Sequence, residues 1–489
     1  MLLRTPLAAK RILLPLATLW CVACSSTKPV ATKRSAAAIE QGLITAVIPE
    51  NAPLEKHRIE QRMRFFNVPG VSIAVFEQGK LAWSKGYGLA DVNQQQPITT
   101  NTRFQAASIS KSVTAFAVLQ LVDQGRLNLD EDANTYLKEW KIPVTEFTQQ
   151  EKVTIRRLLN HTVGLTGEGF LGYQKSGKIP NAIEVLNGQG RTPKITVAAT
   201  PGSRFAYSGG GYLVLQKVVE DVSGMPFVEF MQQQVLSPLG MSNSTFNQFP
   251  TANVSLAYGS DGKVCEGGWL VNPELAPAGL WTTPTDLAKF SIAIQRAAEA
   301  GPKAVLSPKL AQAMLTPEQG IYGLGVMARG QGDQRSFFHA GSNPGGYQSL
   351  MINYPGKGAG IVIMTNSSQG GTLRDEVFRA FTAHYGIDDN KPQQVTLVTR
   401  TPDELNAYTG RYQFEKMGNY FLEMTLNQDN RLVLLDPNDG KKNIFVPTGA
   451  EAFIDVNSGE KVVFTKESST GKVTGVLYNG EYVFRKLQP

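Results

Sequence analysis

Cross-linking, metal-binding and membrane-spanning chemistry find little material in this chain. Of its 489 residues only three are cysteine and four are histidine. Cys21 and Cys24 fall in the first 24 residues, so Cys265 has no intrachain partner and a disulfide framework is excluded. Cys265 itself reads as a small packed or exposed thiol. The scattered histidines make no His-Glu-x-x-His, and there are no paired Cys-x-x-Cys motifs, which argues against a metal site. No glycine-rich run ending in Gly-Lys-Ser/Thr is present to cradle a phosphate. The nearest approach to a Gly-x-Ser-x-Gly elbow, Gly70-Val71-Ser72-Ile73-Ala74, runs into a strand pattern. Charge is likewise unconcentrated. The net +7 includes Arg4, Lys10 and Arg11 and is spread without basic runs, so there is no nucleic-acid footprint. Beyond the N-terminus no apolar run reaches about 18 residues, the length a spanning helix needs.

What is present begins with an export pattern. Basic residues lead into the apolar run 12–20, too short to span a bilayer, followed by Cys21-Val22-Ala23-Cys24-Ser25-Ser26. This resembles a bacterial lipoprotein box with cleavage after Ala23 and lipid on Cys24, although Cys21 stands where leucine is usual. Plain signal-peptide cleavage is the alternative. Residues 1–24 are thus expected to be a signal peptide. The expected destination is the periplasmic side of a Gram-negative envelope, as an outer-membrane lipoprotein, because no aspartate follows Cys24. Residues 25–50, rich in Ser, Thr, Ala and Lys at their start, read as a linker.

The pattern from 51 to 390 has strand-like runs at both ends and helical periods between, predicting one sheet completed by distant segments with a helical lobe inserted. A helix starting at Ser108 places Ile109, Val113, Phe116, Ala117 and Leu121 on one side. From 400 to 489 the texture changes to short strands, five of them evident, between Gly, Asn and Asp turns. That predicts a separate all-β domain, a small barrel or sandwich.

The chemistry concentrates at Ser108 and Lys111. A serine hydroxyl needs a base, and a lysine one helical turn away serves if burial or nearby positive charge lowers its pKa. The spacing alone is weak, because Ser25/Lys28, Ser260/Lys263, Ser458/Lys461 and Ser469/Lys472 share it. Context separates the first pair. Ser108 opens a helix, where free N–H groups favour negative charge. Tyr207-Ser208-Gly209 lies in a turn about a hundred residues on, and His339-Ala340-Gly341-Ser342 ends a late strand.

In this order the three segments resemble the Ser-x-x-Lys, Tyr-x-Asn and Lys/His-x-Gly motifs of class C β-lactamase-related and penicillin-binding-protein-like serine hydrolases. Further similar stretches run from about residue 55 to 385, among them Leu158-Leu159-Asn160-His161-Thr162 and Gly279-Leu280-Trp281-Thr282. Residues 405–412 resemble the opening of a β-domain often appended to such enzymes. The resemblance implies an α/β fold, an antiparallel sheet flanked by helices, with the all-β domain behind it. It implies an acyl-enzyme on Ser108, proton transfer shared by Lys111 and Tyr207, and an oxyanion hole from the backbone N–H groups of Ser108 and Ser342. Substrate-binding roles would fall to His339, Gly341 and Gly209. No cofactor is implied.

Two positions depart from the family pattern. Gly209 stands where asparagine is usual, and His339 stands where β-lactamases carry the lysine that meets a substrate carboxylate. Both point toward an esterase or a D-amino-acid peptidase or amidase acting on a small ester, amide or peptidoglycan-related substrate. A D,D-peptidase or class C-like β-lactamase is the alternative, and a non-hydrolytic cell-wall-binding relative a further one. His161 reads as a loop-fixing residue, and Trp281 and Tyr347 as core aromatics.

Overall fold

The computed structural model describes residues 35–300, 305–415, 420–437 and 440–487. The expected signal peptide with its Cys24 and residues 25–34 lie outside the described residues. A seven-stranded antiparallel sheet is built from the two ends of the first domain. Its order runs Gln96–Pro97, Lys80–Asp91, Gly70–Glu77, Ala359–Thr365, Tyr347–Tyr354, Ser336–Asn343, Met327–Arg329. Chain-distant strands meet at its centre, where Val75 pairs with Ile361. The first hairpin turns at Gln78 and Gly79, both with positive φ (47° and 66°), the geometry that matches strand twist.

Period-two alternation gives this sheet two apolar faces. Ala74 and Phe76 join the larger core, which holds the inserted helical lobe. Val71, Ile73 and Val75 face a second core closed by Leu373, Val377 and Phe381 of the helix Gly370–Tyr385.

The helix Ile109–Asp123 differs from its expected one-sided pattern. Twelve of its 15 residues are buried, polar ones included. The polar side is tolerated because it bonds backbone carbonyls of neighbouring loops. Ser112 Oγ donates to Gly325 O (2.7 Å), and Thr114 Oγ1 donates to Ala276 O (3.1 Å). Satisfied hydroxyls let the helix sit in the middle of the molecule, which fixes the position of its N-terminus.

The expected linker is corrected in its second half. Residues 35–40 are helical, Ile39 and Leu43 are fully buried, and Val47–Pro49 pairs in parallel with Gln393–Val395. Ile39 and Leu43 join the second core, while Val47 packs with Val446 and Ile454 of the barrel, so burial of these apolar residues overrides the polar composition of the stretch.

The C-terminal domain is a closed eight-stranded barrel in which each strand pairs with its chain neighbour. Gly410–Phe414 closes it onto Tyr482–Lys486. Three strands escape the sequence pattern: Gly410–Phe414, Lys442–Pro447 and Ala452–Asp455. The turn after Ala452–Asp455 docks on the first domain, where Arg62 pairs with buried Glu376 (2.5 Å) and also donates to Asn457 Oδ1 (2.8 Å).

Candidate active site

Ser108 stands at the N-terminal cap of the central helix but does no capping, since its side chain accepts no backbone N–H there. Ala107 before it has φ +49°, a conformation costing a non-glycine residue about 1–3 kcal/mol. The hydroxyl instead receives Lys111 Nζ at 3.0 Å, and Nζ also donates to Pro277 O at 3.0 Å. Lys111 is 2% exposed, and burial lowers its ammonium to about 7. An amine with that affinity for protons, hydrogen-bonded to a serine, has the chemistry a general base needs at neutral pH.

Tyr207 comes from the segment just before the helix Gly209–Ser223. Its hydroxyl hydrogen-bonds Ser108, and Lys111 Nζ sits 4.9 Å from its ring centroid. Burial raises this phenol well above its ordinary range, with the Glu168 carboxylate adding to the rise. Desolvation reaches both groups, favouring the neutral amine of Lys111 and the protonated phenol of Tyr207.

His339 is displaced from its expected cleft position. It is 1% exposed, its Nδ1 donates to Ala340 O (2.6 Å) and its Nε2 accepts from Tyr322 OH (2.8 Å). Burial, then the Lys111 charge, lowers it to about 3, so it is a neutral imidazole behind the site. His161 shows the loop-fixing geometry. Its Nδ1 accepts from Ser208 N (3.0 Å), its ring lies 4.3 Å from that of Tyr207, and its φ is +60°. Tyr322, 4.5 Å from His161, completes an aromatic support behind Tyr207. Tyr322 sits in no motif, and nothing in the sequence marked it.

The two glycines act as spacers. A Cβ on Gly341 would lie 2.2 Å from Ala106 O and 3.0 Å from Ser108 N, so only glycine lets this strand run against the nucleophile's backbone. A Cβ on Gly209 would meet Phe170 at 2.6 Å. The space of the usual asparagine is thus filled by Phe170, and residues 167–170 close over the helix start. Trp281 and Tyr347 are buried and meet edge to face at 5.6 Å, as core aromatics.

In front of Ser108 opens a cavity of about 780 Å³. Lys111, Glu168, Phe170, Asn343 and Gln348 help line it, as does Ser342. Asn343, missed in the sequence, is held by Gln105 Oε1 (2.7 Å) with its amide at the cavity wall. Gln348 Nε2 donates to Ser342 Oγ (2.9 Å). Lys111 and Glu168 are the charged side chains of the lining. Among the described residues no three His, Cys, Asp or Glu side chains converge as a metal cluster.

The comparisons with known proteins agree with this geometry. The Beta-lactamase family model matches residues 56–383. Protein flp of Staphylococcus aureus (strain N315) is 26% identical over 330 residues, which cover 63% of this chain and 61% of that protein. The chain therefore spans less than two thirds of that relative's length. The octameric penicillin-binding protein homologue from Pyrococcus abyssi superposes with a TM-score of 0.60 at 23% identity, covering 87% of this chain and 98% of that one. The D-amino acid amidase from Ochrobactrum anthropi SV3 superposes at 0.55 with 24% identity, covering 67% and 97%. With its nucleophile helix, central sheet and inserted lobe all inside the matched span, the chain belongs to the β-lactamase family.

Proposed function

We propose that this protein is a serine hydrolase that cleaves an ester or amide through an acyl-enzyme on Ser108. The observation that carries this reading is the buried Lys111 amine 3.0 Å from Ser108 Oγ, with its ammonium lowered to about 7. Neutral Lys111 takes the hydroxyl proton as Oγ attacks the substrate carbonyl. The oxyanion settles on the backbone N–H groups of Ser108 and Ser342, each such donor contributing about 2.7–4 kcal/mol. Tyr207, held protonated, donates to the leaving group and is resupplied from Lys111. Water then repeats the sequence in reverse roles to release the acyl group.

The substrate class follows from charge. A β-lactam or D,D-peptide presents a carboxylate, yet neutral His339 is withdrawn from the cavity, which also holds the Glu168 carboxylate. Phe170 occupies the place of the missing amide. These features favour a neutral ester or an amide whose neighbouring group is uncharged or cationic, as in the amides of D-amino acids. The fold shared with a D-amino acid amidase is consistent with that reading. Kinetics on nitrophenyl esters, D-amino-acid amides and a chromogenic cephalosporin test it. Esters or amides should lead in kcat/KM, and a cephalosporin that outruns them all would refute the substrate class. We further propose that the protein is exported and anchored through lipid on Cys24.

A further inference from the structure

The C-terminal barrel is only half filled. Tyr408, Tyr412, Phe445, Phe453 and Phe464 pack its interior toward one end. Toward the other a cavity of about 350 Å³ remains, at the scale where an eight-stranded barrel holds one small ligand. Its lining shares no residue with that of the catalytic cavity.

Five aromatic rings shape this cavity: Phe414, Tyr420, Tyr478, Tyr482 and Phe484. Phe414 lies 5.0 Å from Phe484, 6.1 Å from Tyr482 and 6.2 Å from Tyr420, so the rings form a continuous wall. Leu422 and Leu434 add apolar surface. Among the described residues the charged lining is Asp436, Glu460 and Lys441, and Tyr420 OH donates to Asp436 Oδ2. Lys441 Nζ donates to both oxygens of Glu460 (2.8 and 3.1 Å).

Asn443 supplies the decisive polar feature. It is 3% exposed, and its Nδ2 donates to Asp455 Oδ2 (3.1 Å) and to Glu460 Oε2. Those two carboxylates fix the amide orientation, so Oδ1 is the free end. Among the described residues that buried oxygen receives no hydrogen bond. A buried acceptor without a donor is costly, and a ligand N–H removes the cost. Aromatic faces, the Asp436 and Glu460 carboxylates in the wall and an unmet acceptor all select the same chemistry, a cation with N–H groups on an apolar body.

We infer that the open half of the barrel is a binding site for a small organic amine, its hydrocarbon or aromatic body against the five rings and its protonated nitrogen toward Asn443 and Asp436. The site neighbours the catalytic domain. A Cβ on Gly440, in the turn beside Lys441, would lie 2.2 Å from Ser260 Oγ, and Gly259 lines the catalytic cavity.

Calorimetry on the full-length Ser108→Ala protein at pH 7 tests this with three probes of one shape: 2-phenylethylamine, 2-phenylethanol and 3-phenylpropionate. The amine should bind at least about tenfold more tightly than the alcohol, a difference of about 1.4 kcal/mol, and the acid should not bind. Leu434→Trp, which fills the cavity, should abolish amine binding. Asp436→Asn, nearly isosteric and checked for folding by circular dichroism, should weaken the amine about tenfold and leave the alcohol unchanged. Glu168→Gln should leave amine binding intact. No amine binding, equal binding of the three probes, amine affinity indifferent to Asp436→Asn, or loss of binding in Glu168→Gln would each overturn the assignment.

Discussion

Burial does the chemical tuning in this site, one side chain at a time. Lys111 is 2% exposed, no carboxylate among the described residues pairs with it, and its hydrogen bonds go to a hydroxyl and a carbonyl, so little rewards the charged form. Its ammonium falls from an ordinary 10.5 to about 7. The amine is therefore protonated below pH 7 and neutral above it, and only the neutral form accepts the Ser108 proton. With a neutral ester, kcat/KM should rise through an acid limb centred near pH 7 and stay level toward pH 10. No alkaline loss is expected there, because the Tyr207 phenol is held above its usual range. A profile flat from pH 5 to 8 would contradict Lys111 as the base. Lys111→Ala should lower kcat/KM by about 10²–10⁴-fold. That Ser108, Lys111 and Tyr207 come together was legible in the sequence because each sits in a short motif with fixed spacing. The withdrawal of His339 was not, since it depends on Tyr322, and no local pattern reports a partner 17 residues away.

Among the elements, the close approach of the strand Ser336–Asn343 to the start of the helix Ile109–Asp123 decides whether the site exists. Gly341 permits that approach, because any Cβ would strike Ala106 O. Gly341→Ala should push the strand from the nucleophile, displace Ser342 and lower kcat about 10²-fold, the scale of an ångström's misplacement. The adduct-forming Ser108–Lys111 pair itself would remain. Unchanged turnover in a folded Gly341→Ala protein would remove the strand from the oxyanion hole. Gly209 works similarly for residues 167–170. The order of strands and helices was readable from alternation and helical period. The polar burial of the central helix was hidden, because Ser112 and Thr114 bond carbonyls at Gly325 and Ala276 that are far away in sequence. In the barrel, strands as short as Ala452–Asp455 gave too few alternations to register, and only closure of the sheet reveals them.

For the molecule as a whole, residues 35–49 act as a strap between the two domains. Leu43 packs in the second core, Val47 N donates to Val456 O (3.0 Å) and Ala46 N to Asn457 O (3.2 Å), the latter two in the barrel. The polar residues at the start of the 25–50 stretch masked this, although Ile39, Leu43, Ile44 and Val47 are apolar and buried. The strap bears on the proposed anchor. Only residues 25–34 separate Cys24 from the first described helix. Fully extended, ten residues reach about 35 Å, so a lipid on Cys24 would hold the catalytic domain close to the membrane surface. Cys24→Ala should release the protein into the soluble periplasmic fraction and abolish incorporation of a labelled fatty acid. A wild-type protein that takes up no label would remove the anchor from this account.

The central claim, that Ser108 is the nucleophile, is tested most directly by intact mass after treatment with a fluorophosphonate. Wild-type protein should gain one adduct, mapped to the peptide containing Ser108, while Ser108→Ala gains none and Lys111→Ala reacts far more slowly. An unmodified wild-type protein, or an equal adduct on Ser108→Ala, would contradict it.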